Sequence, residues 1–297
     1  MKKYVSFFGY QSKPLVTYFL TCLFISLAVV AIFFGTVKAE YFGYYIQDRN
    51  PGRIGWIYFI QAFLPFLLTL INGVFLIAGY QTLFNKEYAN RSIGSWLVLP
   101  MSRTSIFLIK IFTIMFYQAI IFLMCMIVTL IIVHSLNVPQ YDGRFVSATI
   151  LNYFSAFIFV MVLFAVLLML DFIKIEKTGL KLGLAVLILL YHCGILIVKF
   201  VSQSELMQAE YNNTSAKSWW QALWYLQYIS LTMFFAFSYR SDVNVLSDKT
   251  GNMNLQYSQK FIVYAGEYIT PIVVGIVVIV LLFAFYIWRM HKRDYSI

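Results

Sequence analysis

Residues 111–133 read IFTIMFYQAIIFLMCMIVTLIIV, 23 positions without a single charge. About 20 apolar residues wound as a helix cover roughly 30 Å of hydrocarbon, so this run predicts a membrane-spanning helix. Working outward, charge-free runs of similar length recur at 15–37, 54–85, 145–170 and 268–288, and a shorter one at 182–198. The run at 54–85 exceeds a bilayer and is expected to tilt or project, with a kink at Pro65. The composition agrees: 61% of the 297 residues are hydrophobic and 11% are charged. A soluble domain carries roughly a quarter charged residues, so a soluble or disordered chain is excluded.

The reading that follows is an all-α membrane protein with six transmembrane helices and both termini in the cytoplasm. Lys2 and Lys3 precede the first run, which is too long for a signal peptide's apolar region and is read as a retained helix. With this orientation the inner segments hold 13 of the 22 basic residues against four acids, and the outer segments nine against eight. That asymmetry obeys the positive-inside rule. The net charge of +10 then belongs to topology and anionic lipid rather than to nucleic acid. Trp56, Trp96, Trp219, Trp220, Trp224 and Trp288 all fall at span ends or in loops, as an interfacial belt requires. Cys22, Cys125 and Cys193 sit in apolar runs and suggest neither disulfide nor metal site.

The organisation divides into 1–201, holding five spans and an inner amphipathic helix at 90–100; 202–267, an outer loop or cap; and 268–297, the sixth span and a basic tail. The cap is expected to combine an aromatic helix with a β-hairpin turning at Asp248–Gly251. Asp248-Lys249-Thr250-Gly251 resembles the phosphorylated motif of P-type pumps. Asn252 departs from that motif, and no stretch is long enough for an ATP-binding domain. The segment 219–238 is uncharged and reads either as a seventh span or as a helix on the outer leaflet; its polar stripe Gln221, Tyr225, Tyr228 and Thr232 favours the second.

The segment between spans two and three is Asn85-Lys86-Glu87-Tyr88-Ala89-Asn90-Arg91-Ser92-Ile93-Gly94-Ser95-Trp96-Leu97-Val98-Leu99-Pro100-Met101-Ser102-Arg103. Ile93, Trp96 and Leu97 share one face of a helix that Asn90 or Ser92 can cap and Pro100 ends. Ser102 can cap the third span, with Arg103 and Lys110 near lipid phosphates. By itself the segment also reads as an ordinary basic loop.

At these positions the sequence resembles the ABC-2 family of bacterial ABC permeases. Glu87, Leu97, Leu99, Pro100, Ser102, Arg103 and Lys110 stand where the family carries its motif, while Arg91-Ser92 replaces its Gly-Thr pair. The tail Arg289-Met290-His291-Lys292-Arg293-Asp294 is similar to the family's closing basic-basic-Asp. The resemblance implies that 90–100 is a coupling helix seated in a separate ATPase subunit, which binds ATP and Mg. Ile93, Trp96 and Leu97 would form its contact face and Glu87 and Arg91 its polar contacts, with Pro100 and Arg103 completing the coupling set. It further implies a homodimer or a heterodimer with a second permease, and no catalysis by this chain alone.

The span cores as drawn above contain no Asp, Glu, Lys or Arg, which argues against proton-coupled transport. Their polar groups, Gln61, Asn72, Gln118, Asn152 and His192, are candidates for a substrate pathway, although Asn and Gln in spans also serve to bond helices together. An uncharged, aromatic pathway suits an apolar or amphipathic cargo. Richness in Lys, Tyr, Asn, Ile and Phe points to a low-GC Gram-positive bacterium, and related permeases there export antimicrobial or cytolytic peptides. The alternative is a membrane sensor or immunity subunit that transports nothing.

Overall fold

The computed structural model describes residues 2–45, 51–85, 101–135, 143–172, 178–211, 222, 246–247, 253–254 and 265–292. Six helices account for nearly all of them. They are α1 (Lys2–Tyr45), α2 (Pro51–Tyr80), α3 (Arg103–Ser135), α4 (Gly143–Met169), α5 (Thr178–Tyr211) and α6 (Ala265–His291). α2 runs on into a π-helical turn, Gln81–Asn85, and α4 closes on a 3-10 turn, Leu170–Phe172. Two strands of two residues each, β1 (Leu246–Ser247) and β2 (Met253–Asn254), pair antiparallel. The expected turn at Asp248–Gly251, the segment 219–238 save Ala222, and most of the cap lie outside the described residues.

Five helices contain a segment long and apolar enough to cross a membrane: Tyr4–Gly35, Leu67–Phe84, Arg103–Ser135, Thr149–Phe172 and Thr270–Met290. The sixth expected span is shorter, since the apolar part of α5 is Gly179–Ile195. Seventeen residues rise about 25 Å as a helix, less than a typical hydrocarbon core. The architecture is that of a multi-pass helical membrane protein.

Side-chain contacts fix the sense of the helices. Leu83 lies by Lys110 and Asn72 by Gln118, so α2 and α3 run antiparallel. Thr129 by Tyr153 and Phe122 by Phe157 give the same relation for α3 and α4. Phe164 by Phe283 and Phe172 by Phe285 make α4 and α6 parallel. The ends of α2, α4 and α6 and the start of α3 therefore share one end of the bundle.

α4 is the central helix and packs against α2, α3 and α6. Ile158 through Ala165 are buried without interruption, the pattern of a helix apolar on every side. Of its most apolar 18 residues 78% are buried, against 22% in α1 and α6. The outer faces of α6 are apolar instead (Val273, Val277, Val280 and Leu281), as lipid-facing surface requires. Two buried glycines bring α2 close to its neighbours. A Cβ on Gly79 would stand 3.0 Å from Ile114 Cδ1, and one on Gly73 2.5 Å from Leu189 Cδ1. Small residues at such crossings let helices approach where lipid supplies no hydrophobic drive.

Candidate functional site

The described polar groups with the most developed geometry gather where α2 ends and α3 begins. Tyr80, on the last turn of α2, donates its hydroxyl to Asp171 Oδ1 at 2.7 Å. Tyr286 of α6 donates to the other carboxylate oxygen, Oδ2, at 2.8 Å. All three side chains are buried. A carboxylate removed from water is stabilised only by such short, charge-assisted bonds. Asp171 thus joins α2, α4 and α6 at one point.

The π-turn begins at the residue after Tyr80. A helix end leaves carbonyls without intrahelical donors, and a π-turn widens the last turn by one residue. Lys110 of α3 supplies a donor: its Nζ bonds the Leu83 carbonyl at 2.9 Å and lies 5.6 Å from the centre of the Phe84 ring. Phe84 in turn packs edge-on against Phe164 and Tyr286. Phe107 and Phe172 close the cluster around Tyr286.

Lys110 therefore clasps together the two helices that bracket the 86–102 segment. At the far side of that segment, Ser102 caps α3 as expected. Its Oγ accepts from the Ser105 amide at 3.1 Å, and its carbonyl accepts the first α-helical bond, from Ile106.

Two sequence expectations are corrected here. Lys110 does not reach lipid phosphates; it is 1% exposed and turns inward to the α2 end. The spans also contain buried charge, because Lys110 and Asp171 both lie within crossing segments. The expected spans stop one residue short of each, because the charge-free runs end there. With buried charge inside the crossing segments, the helices no longer count against ion coupling.

A second polar site lies deeper. Gln118 Nε2 donates to the Asn72 carbonyl at 3.0 Å, and Asn72 Nδ2 donates to Leu68 one turn back. Both residues are 0% exposed, yet Asn72 Oδ1 and Gln118 Oε1 meet no hydrogen-bond donor among the described residues. Of the pathway candidates, the structure brings these two together. Asn152 is buried on α4 beside Tyr153, whose hydroxyl shares a 2.6 Å bond with Thr129. His192 is half-buried on α5, against the Tyr191 ring. Gln61 lies in α2, with its side chain outside the described residues.

Of the expected coupling residues, Arg103 opens α3. Glu87, Arg91, Ile93, Trp96, Leu97 and Pro100 lie outside the described residues. Cys22, Cys125 and Cys193 are buried free thiols. Sequence reasoning missed Tyr80, Tyr286 and Asp171 as a group. The available signal was a tyrosine near the end of two different spans, each placed to reach a carboxylate at the end of a third. No family model matches the sequence, and no curated protein matches it.

Proposed function

We propose that the chain is the membrane subunit of an ATP-driven ABC exporter of the ABC-2 type. In this reading 90–100 is the coupling helix, the termini and the 86–102 segment face the cytoplasm, and the cap with its hairpin lies outside a bacterial plasma membrane. A separate ATPase subunit binds ATP and Mg, and two permease chains, identical or related, form the pathway. The cargo is hydrophobic or amphipathic, with an antimicrobial or cytolytic peptide as the best fit to an aromatic interior.

One observation carries the reading beyond the sequence resemblance: the segment's two ends are clasped to each other and to the bundle core. Force applied to 86–102 reaches α2 and α3 through Lys110, and α4 and α6 through Asp171. A loop without a mechanical role needs no such anchorage.

Purification from the native membrane in mild detergent, with mass spectrometry of what accompanies the chain, tests the proposal. A stoichiometric ATPase subunit is expected. Repeated recovery of the chain alone, under conditions that keep ABC complexes whole, would overturn it and leave the sensor or immunity reading. Within the complex, Trp96→Ala with Leu97→Ala should leave the chain assembled in the membrane and separate ATP hydrolysis from transport.

The buried Lys110 and Asp171 favour a second reading, an ion-coupled carrier, because ionisable groups at membrane depth commonly mark ion pathways. Transport that survives depletion of ATP and stops when the proton gradient is collapsed would select it.

A further inference from the structure

The π-turn at the end of α2 has a fixed point on one side, an exit on the other and a clamp between them. Tyr80, immediately before it, is tied to Asp171. Asn85, its last residue, is where the 86–102 segment departs. Between them, the Leu83 carbonyl is held by Lys110 and the Phe84 ring lies under the same ammonium. Leu83 and Phe84 are each 1% exposed, so the clamp operates out of water.

A π-turn holds one residue more than the α-helical turn it replaces. If Gln81–Asn85 tightened to α-helical geometry with Tyr80 fixed, the exit would turn by about 100° and advance about 1.5 Å. That rotation displaces the chain by roughly 3.5 Å at a Cα radius of about 2.3 Å, and by more at a side chain's reach. The Leu83 carbonyl would swing away from Lys110 in the same movement.

We propose that Gln81–Asn85 is a two-state register switch, and that Lys110 is the positioning residue that holds it in the π form. Resting on the exporter reading, the switch is how a pull on the 86–102 segment becomes a rotation at the bundle. The ATPase partner draws the turn tight, the clamp opens, and the anchored Tyr80 stays in place. The state of the clamp regulates coupling without Lys110 touching cargo or nucleotide.

The test uses the chain in lipid nanodiscs, with whatever ATPase accompanies it, and the three native cysteines replaced by serine or alanine. Spin labels on Tyr88→Cys and on Leu108→Cys, which is exposed on α3, report the distance between the segment and the bundle. Lys110→Met should shift the distribution by several ångströms without nucleotide, and Lys110→Arg should restore it. Lys110→Gln, a milder loss of the same clamp, should shift it the same way if Lys110→Met is recovered in poor yield, and deleting Thr82, which removes the extra residue and leaves the exit in its present register, should abolish the shift in either background. Identical distributions for the parent, Lys110→Met and Lys110→Gln would overturn the switch. If the variants shift the distance but ATP with vanadate shifts nothing in the parent, the switch stands and the exporter reading fails. If nucleotide moves the segment while the variants do not, the exporter reading stands and the switch fails.

Discussion

Two buried polar sites lie along α2, roughly 12 Å apart by helical rise from Asn72 to Tyr80. They are built on opposite principles. At Asp171 each carboxylate oxygen has a phenol donor, one from α2 and one from α6. At Asn72 and Gln118 one bond joins two helices and two amide oxygens are left over. An unpaired buried amide oxygen costs a few kcal/mol at most sites, and a satisfied charged group is destabilising chiefly when a partner is lost. The first site is therefore a fixture, and the second is open to re-pairing. The contrast assigns anchoring to the end of the bundle and leaves its middle as the place where helices can exchange partners.

The most damaging single change should be Asp171→Ala. It strands the Tyr80 and Tyr286 hydroxyls in an apolar site, at a cost of about 3 kcal/mol. The apparent melting midpoint in detergent, followed by the monodisperse peak on size exclusion, should fall further than for any change below. Tyr80→Phe or Tyr286→Phe takes one phenol donor from Asp171 and should cost about 1–2 kcal/mol each. The double variant should cost more than the two single changes together, and strict additivity would show that Asp171 does not couple them.

Gly73→Ala and Gly79→Ala should each cost roughly 1 kcal/mol or less by the same measurement. The atoms in the way are the far ends of Leu189 and Ile114, which can give. The smallest effect is expected of Gln118→Leu. It removes one interhelical bond and one unpaired oxygen together, and membrane hydrogen bonds average only about 0.6 kcal/mol. The stability should stay within about 0.5 kcal/mol of the parent or rise slightly. A loss comparable to that of Asp171→Ala would break the contrast between the two sites.

Much of the fold was legible because lipid enforces it. Runs such as 111–133 have one stable state in a bilayer, and α3 extends the expected span by eight residues at its start and two at its end. The Ser102 cap was legible for a similar reason, since a hydroxyl three residues before a backbone amide at a helix start is a local matter. α5 was harder. Its apolar stretch is interrupted early, and hydropathy alone does not distinguish a short span from a helix that crosses only part way.

The anchoring site was not legible, for a physical reason. Tyr80 and Asp171 are 91 positions apart, and Tyr286 and Asp171 115. No local pattern pairs them, and a charge at a span's edge ordinarily extends to water. Lys110 illustrates the point: a lysine two turns inside a helix reads as a phosphate contact until the α2 end is placed beside it. The π-turn is hidden for the same reason, since Gln-Thr-Leu-Phe-Asn carries no helix breaker and the donor that meets its Leu83 carbonyl comes from another helix.

The claim that the 86–102 segment engages an ATPase is tested most directly by a photoreactive benzophenone amino acid in place of Trp96. It would be irradiated in the cells that naturally make the protein, with the same probe at the lipid-facing Leu281 as control. The account predicts a protein adduct at position 96 whose mass spectrum identifies a nucleotide-binding ATPase, and none at position 281. Labelling of lipid alone at both positions would contradict it.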